Sequence, residues 1–77
     1  MTREVFEDTV TQLLTHRPFQ VFTVELQNGR VHEIDHPLAM SYRNGVAVFI
    51  APAHVPIIFD HDNVVRIIAA PAAAANP

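Results

Sequence analysis

Residues 18–35 read PFQVFTVELQNGRVHEID, an apolar alternation, an Asn-Gly step and a returning alternation. Phe22, Val24 and Leu26 alternate with Thr23, Glu25 and Gln27, the period-two pattern of a strand with one buried and one wet face. Asn28 and Gly29 tolerate the positive backbone angles of a tight reversal. Two registers compete. A two-residue turn pairs Leu26 with Val31 and puts Glu33 and Asp35 on the apolar face, where unpaired carboxylates are costly to bury. A three-residue loop of Gln27, Asn28 and Gly29, with Gly29 left-handed in a bulge, pairs Leu26 with Arg30, Val24 with His32 and Phe22 with Ile34. The second register is preferred. It sends Glu25, Val31 and Glu33 outward and makes His32 a partly buried ring.

Before this hairpin, residues 3 to about 15 read as a helix. Thr2 can cap it, Glu4, Glu7 and Asp8 sit near its positive end, and His16 and Arg17 near its negative end. Phe6, Val10, Leu13 and Leu14 recur on one face, which must pack on a sheet as a lid. Pro18 then disfavours helical geometry at Arg17 and starts the strand. After the hairpin, His36-Pro37 predicts a corner and Leu38–Tyr42 a short strand. Arg43-Asn44-Gly45 repeats the turn chemistry, and Val46–Ala51 is an apolar strand with no charge. Pro52–Pro56 reads as a bend, Ile57–Phe59 as a strand, residues 60–63 as a polar turn or one turn of tight helix, and Val64–Ala69 as the last strand.

One helix and six short strands with no helical crossover predict a mainly β fold, a small bent antiparallel barrel like the SH3-like barrels. Residues 1–69 form this single domain. The remaining APAAAANP, residues 70–77, has nothing to anchor it and is expected to be a disordered tail.

The totals bound what the domain can do. A chain of 77 residues buries only about 60 to 65% of its unfolded surface. Without cysteine it has neither disulfides nor thiolate metal sites, which makes the cytoplasm the default compartment. No apolar run reaches the length of a membrane span, and MTREVFEDTV is acidic and amphipathic where a signal peptide would be basic and then apolar. All five basic residues are arginines, against eight acids and a formal charge of −3, which argues against wrapping duplex DNA. A ring oligomer can still multiply one well-placed arginine.

The MTR-containing helix, Arg17-Pro18-Phe19, Asn28-Gly29-Arg30, His36-Pro37 with Ala39-Met40, and Val65-Arg66-Ile67 together resemble a family of short uncharacterised bacterial proteins. In that family the position of His32 is usually aromatic, which implies an inward ring. The resemblance implies a fold rather than a mechanism. More loosely, Val24–Gly29 resembles the opening of the first motif of the Sm-like proteins, RNA-binding rings of helix-plus-barrel subunits. Ile58–Ile67, with Asn63-Val64-Val65, resembles their second motif. Asp60-His61 stands where that motif carries Arg-Gly, so the resemblance implies a barrel and ring assembly more than uridine recognition.

Catalytic patterns are sparse. Ser41 is the only serine and lacks a strained nucleophile turn, and both glycines are spent on turns, leaving no phosphate loop. His32 and His36 lie on one side of an extended strand, but their separation of about 13 Å exceeds what one ion spans. No cofactor is expected. The stronger signal is apolar strand beyond what so short a chain can hide: Phe49, Ile50, Ile57, Ile58 and Phe59 form a candidate oligomer edge. The reading is therefore a non-enzymatic assembly or binding module that associates with itself through strand edges. One alternative is a ring binding single-stranded RNA through Asn63, Arg66, Arg30 and Arg43, with Tyr42 as stacking platform. The other is a metal-dependent enzyme using His32, His36 and His61.

Overall fold

A computed structural model describes residues 1–72. The chain runs α1 (Arg3–Thr15), β1 (Phe22–Leu26), β2 (Val31–Ile34), β3 (Met40–Arg43), β4 (Val46–Ala51), β5 (Val55–Asp60) and β6 (Val64–Ile68). Single 3-10 turns at Pro52–His54 and His61–Asn63 flank β5. No helix among the described residues is long and apolar enough to cross a membrane.

The backbone amide of Val5 donates to Thr2 Oγ1 (3.2 Å), so Thr2 is the helix cap. At the other end Arg17 Nη1 donates to the carbonyls of Leu14 (3.1 Å) and His16 (2.9 Å), satisfying acceptors that the helix leaves open. Phe6 and Val10 are wholly buried, with Leu13 and Leu14 packed at the margin.

The hairpin takes the three-residue register. Phe22 pairs with Ile34 and Val24 with His32, the Leu26 amide donates to the Arg30 carbonyl (2.9 Å), and Gly29 closes the loop at φ 85°. The other pairing would have buried Glu33, which is exposed. Strand β6 adds to the free side of β1, with a bulge between Glu25 and Leu26, giving an antiparallel sheet of order β2-β1-β6. Thr23 lies on the outer face yet is only 1% exposed, because the chain beyond β6 crosses over it and Thr23 Oγ1 donates to the Ala70 carbonyl (2.8 Å). The Ala72 amide then donates to Glu33 Oε1 (2.9 Å). Of the tail expected at 70–77, residues 73–77 lie outside the described residues.

Strands β3, β4 and β5 make a second antiparallel sheet in that order. The fold is mainly β with one N-terminal helix, as the strand count predicts. Its ladders run within two three-stranded sheets, and among the described residues none closes a barrel. The second hairpin differs from the first. Arg43 pairs with Val46 across a two-residue turn in which Asn44 (φ 52°) and Gly45 (φ 83°) are both left-handed, the geometry that follows the natural twist of paired strands.

The expected bend also shifts. It occupies Pro52–His54, and β5 begins at Val55, so Pro56 lies inside a strand opposite Ile50. The His61 amide donates to Gly45 O (2.8 Å), and antiparallel alternation then turns the backbones of Phe59, Ile57 and Val55 toward β4. Pro56 faces the free edge, where its missing N–H breaks no ladder bond.

Both sheets press their apolar faces into one core, containing Phe22, Val24, Ile34 and Val64 from the first and Met40, Ala47, Phe49 and Phe59 from the second. The helix seals it, with Phe6 edge-on to Tyr42 (6.2 Å between ring centres) and Phe59 (6.3 Å). Glu7 Oε2 accepts from the Gly45 amide (2.7 Å), tying the helix to the second hairpin.

Gly45 is thus constrained twice. Its φ is left-handed, and a Cβ there would meet His61 Cδ2 at 2.6 Å, whereas at Gly29 the same atom meets nothing within 4 Å. Gly29→Ala is expected to cost about 1–2 kcal/mol from backbone strain alone, and Gly45→Ala clearly more. Thermal unfolding followed by circular dichroism checks this ordering, and equal losses would contradict it.

Candidate functional site

Strand register sorts the apolar run of the second sheet into two faces. Cross-strand partners share a face. Val46 opposes Arg43 and Asp60, Val48 opposes Ser41 and Ile58, and Ile50 opposes Pro56. These residues form the outer face, opposite the one that carries Met40, Ala47, Phe49 and Phe59. Neither the helix nor the first sheet covers it: Ile58 is 67% exposed, Ile50 44% and Val46 42%. A contiguous strip of Val46, Val48, Ile50, Pro56 and Ile58 therefore faces outward, bounded at one end by Arg43 and Asp60.

This placement divides the candidate oligomer edge. Phe49 and Phe59 are each 5% exposed and belong to the core, and Ile57 packs against it. Ile50 and Ile58 are the members that reach the surface. A run such as VAVFIA carries no polar residue to mark its phase, so the two faces cannot be told apart until the register is known.

The RNA candidates are dispersed. The Asn63 carbonyl accepts from the Gln27 amide (2.8 Å), placing Asn63 beside the first hairpin. Leu26, Gln27, Asn28, Ile58, Phe59 and Asn63 line a small cleft of about 210 Å³ there. Arg30 is exposed at the end of that hairpin, whereas Arg43 belongs to the second sheet. Arg66 pairs across the strand with Glu25 (3.0 Å). Tyr42 is only partly exposed, with its hydroxyl bonded to Thr11 Oγ1 and its ring against Phe6. That leaves little of it as an open stacking surface.

The histidines have separate settings. His36 Nδ1 accepts from the Leu38 amide (3.0 Å), closing a local turn. His61 Nδ1 donates to the Met1 carbonyl (2.8 Å). Asp60, His61 and Asp62 are the one set of such side chains among the described residues whose ligand atoms converge, within 4.8 Å of one another. Their bonds are those of a turn: Asp60 Oδ1 accepts from the Asp62 amide (3.0 Å), and His61 Nε2 lies 3.4 Å from Asp60 Oδ1. His32 and His36 do not join them.

His32 sits elsewhere, its ring 5.7 Å from that of Phe49 and tilted to it. It lines an open groove of about 510 Å³ between β2 and the end of β4 with its following turn. That turn holds a feature with no glycine or asparagine to signal it: Ala53 (φ 69°) and His54 (φ 61°) are both left-handed. Burial, aided by the positive charge of Arg30, holds the His32 imidazole below its usual pKa.

Since His32 is harder to protonate in the folded protein than in the unfolded chain, its contribution favours folding at neutral pH. That contribution is lost as pH falls below the unfolded value near 6.5. His32→Phe is expected to remove this part of the acid sensitivity, narrowing the drop in Tm between about pH 7.5 and pH 5.5. An unchanged drop in the variant would show that other groups carry it. No family model matches the chain, and no curated protein or solved structure matches it.

Proposed function

We propose that this protein is a non-enzymatic assembly module of the cytoplasm that associates with copies of itself through the outer face of the β3-β4-β5 sheet. The observation that carries the reading is the outward strip Val46, Val48, Ile50, Pro56 and Ile58, exposed at Val46, Ile50 and Ile58 and half-buried at Val48, with α1 spent on the opposite side of the sheet. Contiguous exposed apolar surface of this kind marks association sites.

A second copy is the fitting partner, because the strip is bounded by one cation, Arg43, and one anion, Asp60, in the same cross-strand row. A two-fold arrangement lets each charge meet its opposite while the apolar residues meet one another. At the β5 edge, association by faces is favoured over the strand-edge route expected from the sequence. Pro56 removes a donor from the free edge of β5, so a ladder with another strand is interrupted midway.

The reading keeps a small bent barrel of the Sm-like or SH3-like kind as the architecture, with the helix as its lid. Ring assembly around single-stranded RNA has less support, given the engaged Tyr42, the paired Arg66 and the separate sheet of Arg43. The histidine-metal reading is likewise the weaker one, since His32, His36 and His61 do not converge.

Sedimentation over a concentration series is expected to show mass above the 8.6 kDa of one chain. Ile58→Glu, which sets a carboxylate beside Asp60, should weaken association at least about tenfold while leaving thermal stability nearly unchanged. A single 8.6 kDa species at high concentration would refute the proposal.

A further inference from the structure

The groove beside His32 borders the apolar face at Ile50 but has its own chemistry. One wall is strand β2, the edge of the first sheet. Because the Leu26 amide bonds the Arg30 carbonyl, alternation sends the backbone groups of His32 and Ile34 toward β1 and those of Val31 and Glu33 out of the sheet. No strand meets that edge among the described residues. The facing wall is Ile50 with the Pro52–His54 turn, in which Ala53 and His54 are left-handed.

Two carboxylates, Glu33 and Asp35, line the groove two residues apart, and no arginine lines it. Arg30 acts on the His32 side, and His32 and His54 are the remaining titratable groups in the lining. Glu33 spends Oε1 on the Ala72 amide, and its other oxygen has no hydrogen-bond partner among the described residues.

We infer that the groove docks an extended peptide segment of a partner protein, which adds as a strand to the edge of β2 and places basic side chains on Glu33 and Asp35. The open edge supplies main-chain bonds at Val31 and Glu33, as in other strand additions. Spacing supplies selectivity: carboxylates at i and i+2 match lysine or arginine at alternate positions of a strand. Ile50 offers apolar surface for the residue between them.

The test uses the full ¹⁵N-labelled chain and two synthetic peptides, acetyl-Thr-Lys-Val-Lys-Val-amide and its counterpart with glutamate at both lysines. The lysine peptide is expected to move the amide signals of Val31, Glu33 and His54 in a saturable way. The glutamate peptide should bind roughly tenfold more weakly or less. Glu33→Lys combined with Asp35→Lys should reverse the preference, and the spectrum of the variant reports whether it is folded.

No saturable shift up to about 1 mM lysine peptide, or equal shifts from both peptides, would overturn the inference. So would shifts confined to the amides of Val46, Val48, Ile50 and Ile58, or movement of the Val31 and Glu33 amides on protein dilution without peptide, which would make a second copy the occupant. Sedimentation of the charge-reversed variant keeps the two proposals apart, because self-association through the apolar face should survive it.

Discussion

Phe6 meets Tyr42 and Phe59 edge to face, and this contact fixes what the helix can cover. Thirteen residues of helix are laid against the inner face of the second sheet and the open end of the core, with Val10 buried beside Phe6. Among the described residues α1 is the one helix of several turns. A small chain has a high ratio of surface to volume, and here part of the shortage falls on the outer face of β3-β4-β5, where Val46, Ile50 and Ile58 are exposed. The first sheet avoids the same fate at Thr23 because the chain returning from β6 crosses over it.

Helix and hairpin are also coupled through polar groups. Glu7 accepts the Gly45 amide, and Gly45 in turn accepts the His61 amide. The turn joining β3 to β4 is therefore held by the helix on one side and by the turn after β5 on the other. His61, whose acidic neighbours invite a metal, bonds the Met1 carbonyl and serves this junction. Its Nδ1 is spent on local order.

Much of this was legible from the residues, and the reasons are specific. The first hairpin had one acceptable register because the other would have buried Glu33 and Asp35, and the helix had both a cap in Thr2 and an apolar stripe. The second sheet was legible as strands but not as faces. Phe49 and Ile50 are equally apolar neighbours, and only pairing with Ile57 and Pro56 assigns one to the core and the other to the surface. The groove was not legible at all, since it needs β2 beside a turn some twenty residues later. That turn's left-handed residues, Ala53 and His54, are types that do not advertise such geometry.

Pro56 has a wider consequence for the life of the molecule. Segments such as PIIFD, apolar and rich in β-branched residues, are the kind that nucleate cross-β fibrils when their edges lie open. Here Pro56 and Asp60 flank Ile57, Ile58 and Phe59 as gatekeepers. The proline interrupts the row of donors a templating chain would need, and the aspartate brings like charges into register with every added copy. One sheet thus carries an exposed apolar face and an edge that resists open-ended stacking of strands.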